Sequence, residues 1–193
     1  MAILDTESNK SGMNEEYHLT EMTIKGKSVQ IYDNFLETTL FKPIQEIMTG
    51  PNFNWVYNDK IIDRNDDVFQ FTHLFFRGAK QAGWSPQTIN INPVLNAIAP
   101  RAWTRIKVNL GTRDPKHTMG GWHTDAKVGE LSENITTAIF YMNTNNGYTL
   151  LETEEKIESV ENRLVVFPCD MLHTGVSQTD TKIRVTLNFN FFI

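Results

Sequence analysis

The chain has 193 residues, 18 basic and 23 acidic, for a formal net charge of −5, and 40% of it is hydrophobic. That length fits one domain with ample apolar side chains for a continuous core. The acidic balance, with a pI of about 5.5, argues against a nucleic-acid coat, which needs a basic stripe to release counterions from phosphates. No apolar run approaches the roughly 18–20 residues that span a bilayer, and the N-terminus lacks the basic and apolar regions of a secretory signal. Cys169 is the one cysteine, so no internal disulfide forms. The expected setting is the cytoplasm.

Residues 1–20 are polar enough to fray as a flexible arm, and they fit either a tail or an arm swapped within a homodimer. Residues 21–100 mix strand and helix signals and read as support for the C-terminal half. A strand is expected over 28–35. A helix comes next over 38–48, where Leu40, Phe41, Ile44, Ile47 and Met48 recur at helical spacing until Gly50-Pro51 stops them. The stretch 63–67 is a charged turn. Asn92-Pro93 reads as a cap followed by a proline at the first helical position, opening a short helix to Ile98 that Pro100 ends.

After residue 100 the signals are those of strands. Over 103–110, Thr104, Ile106, Val108 and Leu110 share one face, and Arg105, Lys107 and Asn109 the other. The run 136–142 is almost continuously apolar, as in a strand covered on both faces. Residues 143–147 form a turn, and 164–167 another apolar strand. In the last strand Ile183, Val185, Leu187, Phe189 and Phe191 alternate with Arg184, Thr186, Asn188 and Asn190. That polar face lines a wet cavity or meets bulk solvent; periodicity allows both. The pattern predicts a mainly β protein with supporting α: a double-stranded β-helix, or jelly roll, with helices packed on one outer face, residues 101–193 forming its core.

His123-Thr124-Asp125 places an imidazole and a carboxylate two residues apart, pointing the same way on an extended chain. His173 supplies a third donor. Two histidines and one carboxylate on one face of a metal make the facial triad of non-haem Fe(II) oxygenases, with coordination positions left open. Donor atoms more than about 8 Å apart would exclude a shared ion. Arg184 begins the polar face of the terminal strand, and a buried guanidinium there needs an anion. A dicarboxylate bound to the metal at one end would supply it, held bidentately, with Thr186 adding a hydrogen bond.

The stretch 103–192 resembles the Fe(II)/2-oxoglutarate-dependent oxygenases, in particular their prolyl 4-hydroxylase-like branch. The matching pieces are HTD at 123–125, AIFYMN at 138–143, NNGYT at 145–149, RLVVFPCDMLHTGV at 163–176 and KIRVTLNF at 182–189, with VQIYDNFLETTLFKPIQEI at 29–47 as a weaker match. The resemblance implies a dioxygenase that hydroxylates a C–H bond of a peptidyl or small-molecule substrate and releases succinate and CO2. It assigns His123, Asp125 and His173 to iron, and Arg184 to the distal carboxylate of 2-oxoglutarate, the co-substrate. Ascorbate is a candidate reductant. Tyr141 stands where the branch often has a tyrosine hydroxyl on that carboxylate; a core aromatic is the plain alternative. Asn109 replaces a co-substrate-contacting tyrosine of many relatives, so an amide substitutes or the contact is missing. Arg105 and Lys107 share its face and meet substrate, co-substrate or surface partners. Related halogenases lack the carboxylate that Asp125 supplies, which implies hydroxylation or demethylation.

Two other functions compete. One is a non-catalytic, cupin-like jelly-roll binding or structural module with a vestigial metal site, which gives no reason to keep Arg184. The other is nucleic-acid demethylation, disfavoured by the acidic charge. His18, His73 and His117 lack partners at ligand spacing. Glu152, Glu154, Glu155 and Glu158 read as a solvated acidic face. Trp55, Trp84 and Trp103 read as core or interface anchors, and Trp122 as part of the site entrance. The loops 111–121 and 126–134 are the candidate substrate lids.

Overall fold

The computed structural model describes residues 12–59, 69–78, 84–125 and 134–193. The expected turn at 63–67 and almost all of the loop 126–134 lie outside them. Of the segment expected to be an arm, residues 12–20 are docked: Met13 is buried and bridges Leu36. Strand β1 (His18–Ile24) starts within it and pairs with β2 (Lys27–Asp33).

Helix α1 (Thr38–Thr49) forms where predicted and buries Phe41, Ile44 and Met48. Strands β3 (Val56–Asn58) and β4 (Gln70–Arg77) come next. A 3-10 turn over Pro86–Ile91 then runs into α2 (Asn92–Ile98). Asn92 is therefore the first helical residue, not the cap; Ile91 takes that place without a side-chain bond. The helix ends at Ala99, left-handed at φ 37°, whose N–H donates to Leu95 O. Pro100 after it cannot continue a helix.

The remaining strands are β5 (Ala102–Thr112), β6 (Ile135–Tyr141), β7 (Tyr148–Leu151), β8 (Lys156–Glu158), β9 (Arg163–Pro168), β10 (His173–Val176) and β11 (Ile183–Phe192). An antiparallel sheet of eight strands runs β1-β2-β9-β6-β11-β5-β4-β3, faced by a three-stranded sheet, β10-β7-β8. The helices cover one face of the large sheet. There Phe41, Ile44, Val94 and Ile98 pack on Ile106, Phe140, Leu187 and Phe189. Each such buried side chain contributes about 1.5–3 kcal/mol. On the opposite face Ile31, Ile139, Val165 and Phe167 meet Leu151, Ile157 and Met171 from the small-sheet side. Facing sheets with helices on one outer side make the predicted jelly roll. Among the described residues no helix is long and apolar enough to cross a membrane.

Candidate metal centre and its cavity

Strands β5, β11 and β6 set their inward residues side by side as three rungs. These are Arg105–Asn190–Thr137, Lys107–Asn188–Ile139 and Asn109–Thr186–Tyr141. Arg184 stands one rung further along β11, opposite Gly111. With the chain from Gly111 to Asp125 and with β10, this floor lines an open cavity of about 380 Å³. Arg184, Thr186 and Asn188 line it, and Asn190 is buried beside it. The polar face of the last strand thus looks into a cavity, not bulk solvent.

The chain before Asp125 runs antiparallel to β10. Gly120 N–H donates to Gly175 O (2.9 Å), His123 and His173 exchange both backbone hydrogen bonds, and Asp125 N–H donates to Cys169 O (3.1 Å). This stitching brings His123, Asp125 and His173 together, with ligand atoms all within 4.8 Å of one another. No other such group of donors occurs among the described residues. His123 Nδ1 lies 3.1 Å from Gly121 O, and His173 Nδ1 lies 2.9 Å from Met171 O. A carbonyl only accepts, so each Nδ1 carries a proton, which makes Nε2 the ligating atom of the neutral ring. Burial, and next the neighbouring His173, push His123 below the usual histidine range. It is neutral at pH 7, as a ligand must be.

Asp125 has only 3% of its side chain exposed. Burial alone would raise its pKa. The Arg105 guanidinium overrides this, Nη2 donating to Oδ1 at 2.8 Å, aided by His173 and by donors from Asn190 (3.1 Å) and Thr137 (2.9 Å) to Oδ2. The carboxyl is held at about 2. Counting lone pairs, Oδ2 is full and Oδ1 retains one. Arg105 Nε in turn donates to Asn190 Oδ1 (2.9 Å), so the carboxylate sits in a closed network.

Arg184 is held from the small-sheet side. Its Nε donates to Ser159 Oγ (2.8 Å), and its Nη2 lies 3.4 Å from Thr149 Oγ1. No ion pair among the described residues involves Arg184 or Lys107. Burial pulls the Arg184 pKa down, but an arginine keeps its charge. Tyr141 does not line the cavity. It lies under Arg184, the guanidinium carbon 5.7 Å from its ring centroid, and its hydroxyl donates to Thr149 Oγ1 (2.8 Å). Thr149, accepting from both, has its own proton free for the cavity it lines.

Asn109 lines the cavity, its Nδ2 donating to Asn188 Oδ1 (3.3 Å). Its own Oδ1, and Gln178 Oε1 of the same lining, are buried without a partner among the described residues. Lys107 lines the middle of the floor, where burial and then Arg105 push its ammonium down to about 8. It is still protonated at pH 7.

Sequence reasoning missed Thr149, on β7 of the opposite sheet, and Ser159, just past the end of β8, neither with a local signal. It also missed Thr137, although a hydroxyl inside the apolar run of β6 was a visible anomaly. His73 bonds Asn54 O and Ser85 Oγ, and exposed His117 bonds Ser177 O. Glu152 pairs with Lys25 (2.8 Å), and Glu154, Glu155 and Glu158 are exposed. Trp122, expected at the entrance, does not line the cavity.

No protein-family model matches the sequence, and no curated protein matches it significantly. Solved structures do match in fold. A 2OG-Fe(II) oxygenase family oxidoreductase of Burkholderia pseudomallei is 11% identical, with 80% of this chain and 78% of that one covered, at a TM-score of 0.54. A prolyl hydroxylase of Trichoplax adhaerens, in complex with a peptide fragment of the hypoxia inducible factor oxygen degradation domain, is 15% identical. There 85% of this chain and 83% of that one are covered, at a TM-score of 0.56. The chain shares the fold of these oxygenases.

Proposed function

We propose that the protein is an Fe(II)- and 2-oxoglutarate-dependent dioxygenase that hydroxylates a C–H bond of a peptidyl or small-molecule substrate, with release of succinate and CO2. One observation carries the reading. A two-histidine, one-carboxylate donor set and a guanidinium with no carboxylate partner among the described residues share one cavity. Borderline imidazoles plus one hard carboxylate suit a divalent first-row metal with open positions.

His123 and His173 hold the ion through Nε2, and Asp125 through Oδ1. Arg184 binds the distal carboxylate of 2-oxoglutarate, with Thr149 and Thr186 as hydroxyl donors beside it. Tyr141 steadies Arg184 from below, and Asn109 Oδ1 accepts from a bound ligand. Arg105, Thr137 and Asn190 keep Asp125 ionised and oriented. When bound, iron(II) and 2-oxoglutarate supply oxygen activation coupled to decarboxylation of the 2-oxo acid. The fold shared with a peptide-bound prolyl hydroxylase supports a peptidyl substrate; a cavity of about 380 Å³ has room for a small molecule.

The test is iron stoichiometry together with 2-oxoglutarate-dependent oxygen uptake and succinate release. The expected result is one ferrous ion per chain and succinate formation lost in His123→Ala and Asp125→Ala. Iron-independent turnover, or no uptake of iron or 2-oxoglutarate, would overturn the reading.

A further inference from the structure

Lys107 occupies the middle rung of the cavity floor, between Asn188 of β11 and Leu74 of β4. Lys107 lines the cavity, and no hydrogen bond or ion pair engages its ammonium among the described residues. An ammonium largely withdrawn from water with no directly paired counter-charge is costly, and the field of Asp125 offsets this only in part, so its position suits an anion.

The charges already assigned do not provide one. Asp125 has both oxygens engaged, one of them by Arg105. Asp114, the other carboxylate of the lining, lies beyond the far end of β5, past Arg184's partner Gly111. On the dioxygenase reading, on which this inference rests, 2-oxoglutarate brings two negative charges. One is taken by Arg184 and one by the metal. Loading the site thus leaves the Lys107 charge unmatched. Lys107 is also displaced from Arg184 by two rungs along the floor, roughly 13 Å of strand at ~3.3 Å per residue. The two cations therefore serve separate groups.

We infer that Lys107 is a substrate-binding residue and that the substrate carries an anionic group, a carboxylate or a phosphate, which reaches the middle of the cavity floor. Asn109, one rung away with its buried Oδ1 unpartnered among the described residues, would accept from a donor on the same ligand.

Small anions test this without knowledge of the substrate's shape. The protein carries 13Cε-labelled lysine and is loaded with diamagnetic Zn(II) and 2-oxoglutarate. Acetate, inorganic phosphate and acetamide are titrated while the Lys107 signal is followed, assigned by its loss in Lys107→Gln. Acetate or phosphate should give a saturable shift and acetamide none, and the tighter anion identifies the source. Lys107→Arg, followed by calorimetry, should retain the preference, and Lys107→Gln should lose about tenfold or more in anion affinity. No saturable response to either anion, or an equal response to acetamide, overturns the inference. So does a fall in 2-oxoglutarate affinity in Lys107→Gln, which would give the cation to the co-substrate. A Lys107 response to anions in a protein that takes up neither Zn(II) nor 2-oxoglutarate would instead overturn the dioxygenase reading and leave the anion site standing.

Discussion

A Cβ on Gly147 would lie 2.9 Å from Arg184 Cδ, so the arginine passes directly over a position that only glycine can occupy. The same Cβ would meet Val176 O and Asn145 Oδ1, each at 2.9 Å. A backbone carbonyl cannot swing aside as a flexible side chain can. Gly147→Ala should therefore displace Arg184 and destabilise the fold by about 1–3 kcal/mol. Urea denaturation and 2-oxoglutarate titration check the two effects; wild-type values in both would show that the arginine takes another path.

Arg184 should set co-substrate affinity without setting metal affinity. Arg184→Gln should weaken 2-oxoglutarate binding by about tenfold or more. Arg184→Lys should not rescue it. An ammonium cannot reproduce the Nε bond to Ser159 and the Nη2 contact with Thr149 while also meeting a carboxylate. Calorimetry on the Zn(II)-loaded protein checks this, and full affinity in the lysine variant would count against bidentate recognition.

Thr137 donates to Asp125 Oδ2 from a buried position on β6. Thr137→Val keeps the shape and removes the donor. Removing such a supporting bond typically costs about 10–100-fold in metal affinity. Competition with a chelator measures it. Unchanged affinity would mean that Asn190 alone suffices to orient the carboxylate.

The metal-free protein should lose stability in acid through Asp125. Its folded pKa of about 2 lies below the ordinary 3.8. A depressed pKa stabilises the fold fully above the ordinary value, and that contribution fades as pH falls from about 4 toward 2. Its size is about 2 kcal/mol. In Arg105→Gln the main opponent of burial is gone, so Asp125 should titrate higher and its share of the acid loss should shrink or reverse. Urea midpoints across pH 2 to 6 report this; coincident profiles for the two proteins would contradict it.

Much of this architecture is legible in the residues because it is periodic. The alternation from Ile183 to Phe191 declares a strand with one apolar and one polar face, since side chains on a strand point alternately. Thr38 to Met48 declares an amphipathic helix by the same kind of count. His123 and Asp125 are near neighbours, so an extended chain alone puts them on one side. The cap falls at Ile91 and not at Asn92 because the preceding 3-10 turn carries the chain into the helix and moves the boundary back by one residue.

What lay beyond the sequence is whatever depends on two distant segments meeting. Nothing local to His173 says that its backbone pairs with His123, or that Arg105 reaches across to Asp125. Ser159 and Thr149 hold Arg184 from the side of the facing sheet, and no periodicity runs between sheets. Local pattern determined which side chains face inward, because it is written in each strand's own backbone geometry. Packing of one sheet against the other decided which charges find partners, and so left Arg184 and Lys107 without an ion pair among the described residues.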